Sequence, residues 1–235
     1  MSALLKVERL SKHFGGFTAL DGVSIEVKQG ERFGLIGPNG SGKTTLINCV
    51  SGSLRNEAGS ILFDGDEISR LPAYRRTRRG IARSFQIPRP FRSMSVLENL
   101  AVRLGILQVA EAHRQALELL QRIGLADKAQ TLSSQLSQVE LRKLELARAM
   151  ASRPRLLISD EAMAGLSGSE VDEVLEILFA LNKDGITIIM IEHIMQAVMR
   201  FSQRIVCLDA GRIICEGTPT EIVQNGDVQK AYLGA

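Results

Sequence analysis

Hydrophobic and polar positions along this chain mark out strands first, then helices, then the two in alternation. Leu4 to Leu10 and Thr18 to Val27 are rich in strand-forming residues, with turns at Gly15-Gly16 and Gln29-Gly30. The apolar run Phe33 to Ile36 predicts a strand, Gly59 to Asp64 another of the N-terminal layer, and Ile81 to Phe85 a further short one. At Gln86 the pattern breaks. The following IPRPFRSMS carries two prolines and no clear period, which predicts a loop. Beyond it, Ala112, Ala116, Leu117, Leu120 and Ile123 fall on one helical face stopped by Gly124, and a second helix is predicted from Ser137 to about Ala151.

Strands then return. Leu156 to Ser159 is apolar, and Val171, Val174, Leu175, Leu178 and Leu181 form the stripe of a helix ending near Gly185. Ile186 to Ile191 predicts a strand, and Ile205 to Leu208 with Ile213 to Cys215 a hairpin about Ala210-Gly211. Strands alternating with helices imply a mostly parallel sheet covered on both faces. The expected class is therefore α/β, a mostly parallel sheet flanked by helices with an N-terminal antiparallel β layer and an inserted helical subdomain. The chain reads as a single domain, with its core at 1–87 and 154–235 and the helical subdomain at 88–153.

Composition adds limits. A length of 235 residues suffices for a proper core, and 45% hydrophobic with 23% charged residues is ordinary for a soluble globular protein. Net charge is only +3, and with 4% aromatics and no Trp there is no stacking platform, so nucleic acid is not expected as a partner. Cys49, Cys207 and Cys215 lack metal or redox spacing and are expected to be buried, reduced thiols. Met1 to Leu5 does not read as a secretory signal, and the stretch Ile186 to Ile191 is far short of a membrane span. Any action at a membrane would come by docking to another subunit. The cluster Arg75, Arg76, Arg78, Arg79 and Arg83 reads as a solvated face, with anionic lipid or a membrane subunit as the alternative contact.

The chemistry centres on GPNGSGKTT, which runs Gly37, Pro38, Asn39, Gly40, Ser41, Gly42, Lys43, Thr44, Thr45. It fits G-x-x-x-x-G-K-[ST] between the strand ending at Ile36 and a helix predicted over Thr45 to Val50. Glycines at 37, 40 and 42 allow backbone conformations that a Cβ forbids. Successive N–H groups and the positive end of the helix dipole can then face phosphate oxygens. Lys43 would reach the β- and γ-phosphates and the Thr44 hydroxyl would ligate Mg²⁺. A second constellation ends the strand at 156–159: Asp160, placed to hold Mg²⁺, and Glu161, placed to orient the attacking water.

With these motifs in this order, the chain resembles the nucleotide-binding subunits of ABC transporters, closest to those of branched-chain amino acid importers, over essentially its whole length. That resemblance implies a P-loop NTPase core that binds ATP and Mg²⁺ and hydrolyses ATP. It gives Gln86 in ARSFQ a place beside Mg²⁺ and the attacking water, and His193 in MIEHIM the part of the switch histidine on the γ-phosphate. Phe14 in KHFGG matches the aromatic that stacks on adenine, with Phe17 a close competitor. Ala164 to Ser167 fits the loop that crosses the dimer interface, although Ala162 stands where the family usually has Pro.

The signature is where the chain departs from the family. Where the family writes L-S-G-G-Q or L-S-Y-G-Q, this chain has Leu136-Ser137-Gln138-Val139-Glu140, with LELARAM downstream fixing the register. Ser137 keeps the hydroxyl that in the family touches the γ-phosphate held by the opposite subunit, and Ser137 with Glu140 makes a capping box. Val139 replaces a glycine that lets backbone approach phosphate. Either the helix start still serves the γ-phosphate and activity is kept, or the site it closes turns over slowly.

The resemblance implies a second ATP-binding subunit (a copy or a paralogue), separate transmembrane permease subunits, and a peripheral location on the cytoplasmic face of the inner membrane. Uptake of a branched-chain or related amino acid is the expected work. A lipopolysaccharide-export ATPase and a slow-hydrolysing regulatory cassette are the alternatives.

Overall fold

The computed structural model describes residues 3–84, 88–104 and 109–233. The chain opens with β1 (Ala3–Phe14) and β2 (Phe17–Lys28), antiparallel partners joined at Gly15-Gly16. The strand β3 (Arg32–Ile36) leads through the Gly-rich loop into α1 (Lys43–Ser51). That helix begins two residues before the predicted Thr45, so Lys43 and Thr44 belong to its first turn. Next come β4 (Ala58–Phe63), the short β5 (Asp66–Glu67), α2 (Ala73–Arg78) and β6 (Ile81–Ser84). Three helices follow, α3 (Val96–Leu104), α4 (Val109–Arg122) and α5 (Gln138–Met150). The chain then alternates β7 (Leu156–Asp160), α6 (Gly168–Lys183), β8 (Thr187–Ile191) and α7 (Met195–Phe201). It closes with the hairpin β9 (Arg204–Asp209) and β10 (Arg212–Gly217), then α8 (Pro219–Gln224) and α9 (Gly226–Leu233).

Two sheets result. One is antiparallel, in the order β2-β1-β4-β5; the other runs β10-β9-β3-β8-β7-β6 and is parallel except for β10. Alternation within the second sheet explains why its strands read as continuous apolar runs. Ile189 and Ile191 of β8 face the cluster shared with α1 and the antiparallel sheet, while Ile188 and Met190 face α6 and α7. A third cluster joins α3, α4 and α5 through Leu100, Leu120 and Leu144.

Two expectations need correction. Leu117 is 39% exposed rather than on the buried face of α4; Leu119 packs inward instead, because the face turns with the 3.6-residue period. The arginine cluster is not one solvated face. Arg76 is 1% exposed and donates to the carbonyls of Cys49, Val50, Ser69 and Leu71, so it caps the C-terminal end of α1. Arg83 also turns inward. Cys49 and Cys207 are buried and Cys215 is half-buried, all three as free thiols.

Candidate active site

The strand order assembles the site. The strands β3, β8 and β7 are neighbours, so the Gly-rich loop, His193 and the Asp160-Glu161 pair leave the same carboxyl edge side by side. There Asn39 to Thr45, Phe14, Phe17, Ala19, Glu161 and His193 line one cavity of about 250 Å³. A larger cleft of about 330 Å³ runs between α4, α5 and the end of α6, past Arg122, Met150 and Asp184. Its lining holds neither the Gly-rich loop nor the carboxylate–imidazole pair, so chemistry rather than size identifies the site.

The loop is held rigidly at its root. Gly37 has φ +149°, and a Cβ there would lie 2.0 Å from the Leu208 carbonyl oxygen, so no other residue fits. Gly42 stands at the N-cap of α1 with φ 107° and offers no side chain to its first N–H groups. The first turn also lacks a carboxylate, so those donors are left for an anion. Lys43 is buried and folds back on its own loop, donating to the carbonyls of Gly37 at 2.6 Å and Pro38 at 2.9 Å. Burial holds its ammonium pKa below the ordinary value, while Glu161, Cys207 and Asp160 nearby oppose that shift. The turn at Gly211 braces the loop from outside by donating its N–H to the Ser41 carbonyl at 2.9 Å.

Glu161 adopts a left-handed backbone, φ 48°, which is strained for a residue with a Cβ. Its N–H bonds the Ile191 carbonyl at 2.8 Å, and its Oε1 lies 2.9 Å from His193 Nε2. Asp160 sits just behind. Arg83 donates to its Oδ2 through Nη2 at 2.5 Å and Nε at 3.1 Å, and to Asn48 Oδ1 through Nη1 at 2.6 Å. Both donors engage one oxygen, and among the described residues none bonds Oδ1. Thr44 is exposed toward the cavity. A hydroxyl and one open carboxylate oxygen are hard donors of the kind Mg²⁺ takes alongside phosphate and water, so these residues fit that ion. Gln86 lies outside the described residues.

Phe14 and Phe17 are cross-strand partners at the tip of the β1–β2 hairpin, 49% and 62% exposed. Both rings line the cavity, and the Lys12 ammonium stands 5.3 Å from the Phe14 ring centre.

Ser137 is placed elsewhere. It caps α5, accepting the Glu140 N–H at 3.3 Å while the Glu140 carboxylate accepts the Ser137 N–H at 2.8 Å. It lines no part of this chain's own cavity. Val139 turns inward and packs, half-buried, against the cluster that also receives Leu166. Gln138 and Arg142 both donate to the Ala164 carbonyl, at 3.3 and 3.1 Å, tying the start of α5 to the loop after Glu161.

One residue not singled out from the sequence supports this loop. Glu192 is 2% exposed and accepts the Met163 N–H at 2.9 Å. Burial pushes its carboxyl up to about 7; Glu161 adds to the shift, and the N–H groups of Met163 and His193 with Arg142 oppose it. Arg83, placed by the sequence on a solvated face, instead holds Asp160. A cation within an otherwise enclosed strand, beside a strand ending in carboxylates, was the available signal for it.

Comparison with known proteins follows the same lines. Residues 20–164 match the family described as ABC transporter, and residues 212–235 match one described as branched-chain amino acid ATP-binding cassette transporter. The high-affinity branched-chain amino acid transport ATP-binding protein LivG of Escherichia coli is 39% identical, over 98% of this chain and 98% of its own. The lipopolysaccharide export system ATP-binding protein LptB of the same organism is 35% identical over 99% of this chain and 98% of its own. The solved ADP conformation of MJ1267, an ATP-binding cassette of an ABC transporter, superposes with a TM-score of 0.93 at 30% identity, covering 100% of both chains.

Proposed function

Since this chain belongs to the ABC transporter family of ATPase cassettes, we propose that it powers uptake of a branched-chain or related amino acid through separate permease subunits. The observation that carries the reading is the convergence of the phosphate loop, the Glu161–His193 pair and two exposed phenyl rings on one cavity. The match of the C-terminal residues 212–235 to the branched-chain amino acid family supports that choice of solute.

In this reading the N–H groups of residues 39–45 and the Lys43 ammonium take the phosphates, and Phe14 or Phe17 takes adenine by stacking. Glu161 accepts a proton from the attacking water and His193 bonds the γ-phosphate. Mg²⁺ would be held by Thr44 and Asp160, with Gln86 beside it, and would supply charge neutralisation at the phosphates.

Two chains act as a pair, each giving Ser137 and the N–H groups of α5 to nucleotide on the other. The position of Ser137, away from its own cavity, supports that arrangement. Closing requires ligand that binds the closed pair better than the open one, and the difference is what the Gln86 loop and residues 87–94 pass to the permeases. The chain then works peripherally, on the cytoplasmic face of the membrane.

Likeness to LptB sustains a second reading, lipopolysaccharide export. The test is reconstitution with the permeases encoded alongside it, followed by ATPase activity with candidate solutes. Stimulation by a branched-chain amino acid with its binding protein supports uptake, and stimulation by lipopolysaccharide instead overturns it.

A further inference from the structure

The Gly37 N–H, just past the end of β3, is met by a residue 195 positions on, the Tyr232 hydroxyl, at 2.8 Å. Three features bring that phenol there. Asn225 Oδ1 accepts the N–H groups of Asp227 and Val228 at 2.9 and 3.0 Å and so starts α9. Val228 is buried in the cluster that includes Ile222 and Cys207, which fixes the inward face of the helix. Tyr232 follows four residues later on that same face.

On the other side of the Gly37 α-carbon, its carbonyl accepts Lys43 Nζ at 2.6 Å. The first residue of the phosphate loop is therefore gripped at both polar groups, by the C-terminal helix at one and by the phosphate-binding lysine at the other. Glycine has the widest backbone freedom of any residue, so an unbonded N–H at this point would leave the loop's starting direction loosely set. Tyr232 is 40% exposed, with its hydroxyl bond to Gly37 part-buried, and burial pushes the phenol up to about 12, against the opposing effect of the Gly37 N–H. It stays neutral and available as an acceptor throughout the working pH range.

We propose that α9 is part of the nucleotide site, with the Tyr232 hydroxyl a positioning group that sets the phosphate loop through the Gly37 N–H. The inference rests on residues 37–45 being the phosphate cradle. It makes residues beyond 225 a determinant of nucleotide affinity, although none of them lines the cavity.

The test is titration of the full-length chain, and of Tyr232→Phe and Tyr232→Ala, with a fluorescent N-methylanthraniloyl-ADP and Mg²⁺, alongside steady-state ATPase. Tyr232→Phe keeps the ring and loses only the hydroxyl. It should weaken nucleotide binding about three- to tenfold, the worth of one neutral hydrogen bond. KM should rise in parallel and kcat at saturating ATP stay unchanged, with Tyr232→Ala at least as affected in binding. If Tyr232→Phe binds like the parent, the inference is wrong whatever Tyr232→Ala does, since ring packing would then be the helix's only contribution. A lower kcat with unchanged affinity would overturn it equally. A parent chain that fails to bind nucleotide removes the cradle reading itself, and this inference with it. Parent binding matched by Tyr232→Phe removes this inference alone.

Discussion

Glu161 Oε1 and His193 Nε2 meet at 2.9 Å, each side chain following the end of one of two adjacent parallel strands. Together with the left-handed backbone at 161, the contact holds the carboxylate beside the cavity that both residues line. Glu161→Gln keeps the shape and removes the basic oxygen. Phosphate release should fall about 10²-fold or more, while fluorescent-nucleotide affinity stays within a few-fold of the parent. Hydrolysis at the parent rate would take Glu161 out of its assigned role.

Arg83 and Asp160 make a second testable pair. Both side chains are nearly enclosed, and the guanidinium also holds Asn48. Arg83→Met would leave the Asp160 charge without its counter-ion in that enclosure, at a cost of about 3 kcal/mol in urea unfolding. Asp160→Asn should lose far less in the Arg83→Met background than in the parent, because the charge that needed pairing is already unpaired. Additive losses in the double variant would mean that the two residues do not act on one another.

What could be read from the chain, and what could not, follows from the range of the forces involved. The helix start at Ser137 was legible because a capping box is local: the residues that satisfy each other's N–H groups are three apart. The strands β7 and β8 were legible because burial on both faces keeps their runs apolar at 156–158 and 188–191. The helices α2, α7 and α8 span only six or seven residues, too short for a period to emerge, and α3 follows a proline-broken loop that masks its start. Arg76 looked like its exposed neighbours in sequence. Only the carbonyls at the end of α1, some 26 residues earlier, make it a buried cap. Tyr232 gave no local signal at all.

Val139 bears on the signature. Its side chain is turned toward the inner cluster beside Leu166, so the bulk that replaces glycine does not stand over the helix start. The capping box takes the N–H groups of Ser137 and Glu140, which leaves those of Gln138 and Val139 for an anion. Val139→Gly should therefore cost about 1 kcal/mol of stability, from lost burial and added backbone freedom, and bring no many-fold gain in ATPase. A many-fold gain in an assay of the assembled transporter would instead establish the slow-turnover reading of this signature.

Glu192 makes stability depend on pH in a direction opposite to that of most carboxylates. Its carboxyl titrates at about 7 in the folded chain against an ordinary 4.5, chiefly because it is buried. Between those two values the unfolded chain has released the proton and the folded chain still holds it. The folded state then binds more protons, so this group's contribution to stability falls as pH rises from about 4.5 to about 7 and is flat above. Glu192→Gln keeps an oxygen for the Met163 N–H at 163 and has no charge to bury. The variant and the parent should unfold at similar urea concentrations at pH 4.5. At pH 8 the variant should be the more stable by on the order of 1–3 kcal/mol, the gap opening within that window. Urea midpoints that run parallel from pH 4.5 to 8 would show that Glu192 is ionised in the folded chain throughout, with Arg142 and the two backbone N–H groups outweighing its burial.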